Sequence, residues 1–149
     1  MAISASRMSC LGLAAALALS PNLASADQAL IDYRESVMES IGGHMSALVA
    51  IVKGNVPYTS DAALHARAIE PLAKISGHIF PPESQTGKTE ALPAIWEKPE
   101  KFKDAMTAFQ TAAADLAKVA DSDPKSMAPA VGALGKSCKG CHDDFKKKD

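Results

Sequence analysis

The chain has 149 residues, a one-domain length, with a formal net charge of −1 and only 5% aromatic residues. That balance has no basic excess and few stacking rings, which excludes a nucleic-acid binder. Three cysteines, two of them in one short motif, do not make a disulfide framework.

The N-terminus comes first. Arg7 precedes an apolar run from Cys10 to Leu19, then a break at Ser20-Pro21 and an Ala24-Ser25-Ala26 ending. This is the pattern of a cleaved secretory signal over residues 1–26, leaving a domain of residues 27–149. The run is shorter than the about 20 residues that span a bilayer, and no later stretch is apolar enough, so no membrane insertion is expected after cleavage. Cys10 stands before the run rather than after it, which argues against a lipoprotein site. Loss of Arg7 takes the mature charge to about −2.

Four helical stretches follow, with no strand pattern of useful length. From about Gln28 to Val52, the residues Leu30, Arg34, Val37, Met38, Ile41, Met45, Leu48 and Val52 recur at spacings of three and four. Gly42-Gly43 interrupts this stripe at about 2 kcal/mol of helix propensity, which suits a bend or the close approach of something bulky. Gly54 and Pro57 end the stretch. Ser60-Asp61 can cap a second stretch over about 62–80, where Pro71 predicts a kink or a late start. Residues 83–93 form the longest loop. A third helix starts near Pro99 and carries Phe102, Met106, Phe109, Ala113, Leu116 and Ala120 on one stripe. Asp121-Ser122-Asp123 closes it and caps a fourth, which runs to about Lys147 and bears Met127, Val131, Leu134, Cys138, Cys141, His142 and Phe145. The fold class is therefore all-α, an antiparallel four-helix bundle.

One motif carries chemistry. Cys138-Lys139-Gly140-Cys141-His142 is the signature of covalent haem attachment. Two thiols three positions apart on a helix lie close enough to add to both vinyl groups of one porphyrin. His142 comes next and can rise beneath the iron as its proximal ligand. A redox dithiol of the thioredoxin kind would need strands and a βαβ pattern, which are missing. A closed zinc site would need a second cysteine pair or distant histidines. The expected cofactor is one covalent haem c with its iron.

With that motif near the C-terminus, the chain resembles the cytochrome c′ family of secreted bacterial four-helix bundles. The likeness covers the whole mature chain. It rests on Tyr33-Arg34 and Met38, Lys53-Gly54, the Leu92-Pro93-Ala94-Ile95-Trp96 element, and Cys138 to Lys146. The resemblance implies that Arg34 and Glu35 touch the haem edge and that Thr89 and Glu90 lie in a loop near it. Lys146 stands where the family usually has a basic residue, often arginine, and a lysine lacks arginine's bidentate fork. The resemblance also implies periplasmic location, and a homodimer through the first two helices.

The family divides over what faces the iron opposite the histidine, and the matching residue here is Met38. As an iron ligand, its thioether would give a low-spin carrier of single electrons serving redox partner proteins. As an apolar blocker, it would leave a five-coordinate haem that binds or buffers nitric oxide or carbon monoxide. Methionines in apolar stripes are commonly core filling, and Met45, Met106 and Met127 are read that way. Arg34 and Met45 fall within about 40° of Met38 around the helix, whereas His44 lies about 120° away. His65 and His78 stand isolated on the second stretch. A peroxidase-like enzyme would want an acid–base residue over the iron, and this face assignment supplies none.

Overall fold

The computed structural model describes residues 23–148, with side chains from Asp27 onward. Most of the segment read as a signal, Cys10 included, lies outside the described residues. Only the backbone of residues 23–26 belongs to them, as the first turn of a helix. The described elements are α1 (Leu23–Val52), α2 (Ala62–Ser76), the short α3 (Ala94–Glu97), α4 (Pro99–Lys118) and α5 (Ala128–Phe145). Short 3₁₀ turns cover Thr59–Asp61, Pro82–Ser84 and Pro124–Met127.

In α1, Ile31, Arg34, Val37, Ile41, Leu48 and Ile51 are buried, which is the three-and-four spacing of one helical face. The expected break at Gly42-Gly43 does not occur, and the helix runs through both. Both glycines are exposed, and a Cβ on either would touch no other part of the chain within 4 Å. Burial of the flanking Ile41 and Leu48 outweighs the local propensity cost. Gly54, at φ 71°, terminates the helix in the left-handed conformation, and Asn55 N–H returns to the Ala50 carbonyl.

The second helix is shorter than its sequence pattern. It ends at Ser76, and Pro71 lies inside it on an exposed position. Asp61 precedes it but makes no capping bond through its side chain. The residues Ala62, Ala66, Ile69, Ala73 and Ser76 form its buried stripe. Gly77 follows, and a Cβ there would stand 2.8 Å from Nε2 of Gln110 on α4. That same amide donates to the Ala73 carbonyl at 3.1 Å. Pro99 opens α4, and Met106, Phe109, Ala113 and Leu116 are its buried stripe. Asp123 caps the 3₁₀ turn Pro124–Met127 rather than α5 itself, its carboxylate accepting from Lys125 N–H at 2.9 Å, and α5 follows from Ala128.

The bundle is antiparallel. His44 meets His65, Phe80 meets Phe102, and Phe102 meets Phe145, so successive long helices reverse direction. Around the bundle α1 packs on α2, α2 on α4 and α4 on α5 extensively. The fourth side, between α1 and α5, is sparse. The core is centred on Leu48, Ile69, Leu116, Met127 and Leu134, all fully buried. Met106 and Met127 are core filling, as their stripe implied. Among the described residues no helix is long and apolar enough to cross a membrane.

Candidate cofactor site

Cys138, Cys141 and His142 sit in the last two turns of α5, with the His142 side chain exposed. Both thiols are free and half-buried, and Cys138 packs against the core cluster. Burial pushes both thiols up; for Cys141 the value reaches about 11, with the neighbouring Cys138 and Asp144 adding to it. A redox-active dithiol shows the reverse, a lowered value in an electropositive setting. The His142 imidazole is lowered, first by desolvation and then by Lys146, which favours its neutral, ligating form.

What stands opposite follows from register. A Cβ on Gly135 of α5 would meet Met45 Cε of α1 at 3.4 Å, so these two positions are level. At the other end, Arg34 of α1 donates to Thr89 Oγ1 at 2.8 Å, and the Thr89 carbonyl accepts from Lys147 Nζ at 2.7 Å. Arg34 is thus level with the residues just past α5. Met38 lies between these ties, seven positions before Met45, or about 10.5 Å along the helix. His142 lies seven positions after Gly135 on the antiparallel α5. The half-buried Met38 therefore stands about level with His142 and on the face of α1 that carries Met45.

The residues predicted around the haem edge form one network. Arg34 is buried at 2% exposure. Its guanidinium donates to Ser84 Oγ at 2.5 Å, to the Ser84 carbonyl at 3.3 Å and to Thr89 Oγ1, and lies 5.0 Å over the Phe80 ring. Desolvation lowers its affinity for the proton, opposed by the charge of Glu35. These hydrogen-bond acceptors are all neutral, so a buried cation here has no carboxylate bonded to it. That fits a group bearing anionic edges, as haem does. Glu90 pairs with Lys146 at 2.8 Å, its carbonyl accepts from Lys147 N–H at 2.8 Å, and Leu92 N–H donates to the Phe145 carbonyl at 2.9 Å. The loop before α3 is thereby laced to the end of the haem motif. Glu35 is half-buried and joins this network through its charge only.

Two features of this region escaped the sequence reading. Ser84 is fully buried under Arg34, with its hydroxyl donating to the Pro81 carbonyl at 2.8 Å, and no local pattern marks it. Phe80, Phe102 and Phe145 form an edge-to-face chain with centroids 4.9 and 5.2 Å apart. Their spacing on three separate elements hides it. Trp96 holds the short α3 down, its indole N–H donating to the Phe80 carbonyl at 3.1 Å. Open cavities of about 300 Å³ beneath Trp96 and about 330 Å³ between Val49 and Gly132 flank this level, and neither is lined by Cys138, Cys141 or His142.

A family model described as Cytochrome C' matches residues 29–146. The chain is 40% identical to the cytochrome c' of Pararhodospirillum photometricum over 123 residues, covering 80% of this chain and 98% of that one. Among solved structures, the cytochrome c prime of Shewanella frigidimarina superposes with a TM-score of 0.76 at 37% identity, covering 82% of this chain and 97% of that one. A ferrous variant of cytochrome c prime from Alcaligenes xylosoxidans with bound NO gives 0.75 at 30% identity, covering 83% and 97%.

Proposed function

The chain belongs to the cytochrome c′ family, which carries one covalent haem c, and from that premise we propose that it binds a small gas such as nitric oxide or carbon monoxide on the α1 side of the iron. The geometry behind this reading is the register that sets Met38 about level with His142 at the seam where α1 and α5 pack sparsely, and the NO-bound relative favours gas binding over ligation by Met38. When bound, the haem supplies an iron that takes up a diatomic ligand or passes one electron.

The residues divide the work. Cys138 and Cys141 are the attachment thiols, and His142 presents a neutral imidazole to the metal. Arg34, fixed by Ser84 and Thr89, offers its charge to the anionic edge. Glu90, through Lys146, holds the loop that carries Thr89. Glu35 tempers the charge of Arg34. Met38 covers the opposite face with an apolar side chain and keeps water off. Support for gas binding comes from the relative with bound NO. It also comes from His44 being turned toward His65 on α2, away from the seam.

A second reading rests on the same register. The thioether of Met38 is a competent iron ligand, and a bond from it would make the protein a carrier of single electrons for redox partners. In either case residues 1–26 act as an export signal, the periplasm is the place of action, and exposed Tyr33 and Leu64 on α1 and α2 suit pairing of two copies.

Absorption spectra of the purified holoprotein, oxidised and reduced, with carbon monoxide added to the reduced form, test this. Gas binding predicts a high-spin resting haem whose reduced spectrum shifts with carbon monoxide. A low-spin spectrum indifferent to the gas would reject it and establish the carrier.

A further inference from the structure

His44 on α1 and His65 on α2 meet across the helix packing, with their Nδ1 atoms 2.9 Å apart. Their ring centroids are 5.2 Å apart and the planes are tilted by 55°. Both are half-buried, beside the exposed Gly43 and Leu64, so solvent reaches them. Position 44 lies about 120° around α1 from Met38, which separates this pair from the haem face.

The contact is a hydrogen bond when one ring carries its proton on Nδ1 and the other presents a lone pair there. It becomes a chelate when both lone pairs point inward. A divalent transition metal binds imidazole nitrogen at about 2.0–2.1 Å, so two nitrogens 2.9 Å apart subtend about 90° at the ion. A tetrahedral site would need them about 3.3 Å apart, with the helices or rings opening. A right angle suits the tetragonal preference of copper(II) or nickel(II), and copper(II) binds nitrogen donors most tightly in that series.

We propose that His44 and His65 form a two-imidazole site for a divalent transition-metal ion, copper(II) in preference to zinc(II), independent of the haem. The donating ring moves its proton from Nδ1 to Nε2 as the ion enters, so the neutral pair releases no proton. Among the described residues no third His, Cys, Asp or Glu completes a cluster here, so water fills the remaining positions. The bound ion is consequently open and exchangeable, and it ties α1 to α2.

The test uses the holoprotein titrated with copper(II) alone, followed by calorimetry and by electron paramagnetic resonance. The expected result is one equivalent bound, nitrogen hyperfine structure from two imidazoles, an unchanged haem spectrum and a raised Tm. His44→Gln and His65→Gln should each weaken binding roughly tenfold or more, since losing a ligand costs at least what losing a ligand's support costs. His78→Gln should bind as the parent does. The haem spectrum of each variant reports that it is folded. Binding that survives both His44→Gln and His65→Gln, that vanishes in His78→Gln, or that is missing from the parent overturns the proposal.

Discussion

Glu90 and Lys146 form an ion pair at 2.8 Å that joins the loop before α3 to the residue just past α5. The same junction carries the Ala91–Lys146 bridge and two backbone hydrogen bonds. The carboxylate of Glu90 is 59% exposed, so the pair itself contributes about 0.2–1 kcal/mol. Glu90→Gln should therefore change stability little. Thr89→Val removes the acceptor for buried Arg34 and should cost the holoprotein about 1–3 kcal/mol. Urea unfolding of both variants, followed by the haem absorbance, measures the contrast.

Arg34 gives a second prediction. Its guanidinium is buried among neutral acceptors, so removing the charge relieves desolvation as well as breaking hydrogen bonds. Arg34→Met should destabilise the holoprotein by about 2–3 kcal/mol and the haem-free chain by clearly less. Equal losses in both forms would show that the charge faces no cofactor.

Met38→Ala separates the two functional readings. If Met38 only covers the iron, the resting spin state is retained and the affinity for carbon monoxide rises. If it ligates the iron, the spectrum changes from low-spin to high-spin. Absorption spectra with a carbon monoxide titration record both outcomes.

Protonation of the attachment thiols supplies a fourth. Cys141 keeps its proton up to about 11 in the folded chain, against an ordinary value near 9. The unfolded chain loses that proton first, so the stabilisation is complete below about 9 and falls away as pH rises through 11. The Tm of the haem-free chain should decline over this interval. The holoprotein, whose sulfurs are in thioether bonds, should show no such decline from this source.

Leu116, fully buried in the core, supplies a control for packing alone. Leu116→Ala should cost about 2–5 kcal/mol in denaturant unfolding while leaving the haem spectrum unchanged in position.

Sequence reading recovered the bundle because its stripes are regular. The spacing from Met106 to Leu116 and from Val131 to Phe145 needs no tertiary knowledge. It overstated Gly42-Gly43, because propensity is local whereas the burial of Ile41 and Leu48 depends on α2. It overran α2 to Phe80, since apolar periodicity continues through a turn that Gly77 and His78 make. The haem motif was self-evident from five consecutive residues. The network joining Arg34, Ser84, Thr89 and Lys147 was only partly visible, because its members meet through folding across 50 or more positions. The pairing of His44 with His65, 21 positions apart, was missed because it depends on how α1 packs against α2.

The indole of Trp96 is the chain's one tryptophan, and it is tethered to the carbonyl of Phe80 at the head of the aromatic chain that ends in Phe145. A lone tryptophan in this position makes the molecule its own optical gauge. Excited at wavelengths that Tyr33 and Tyr58 do not absorb, the indole loses emission by energy transfer to a porphyrin, so loading of each exported copy would darken a signal that needs no label.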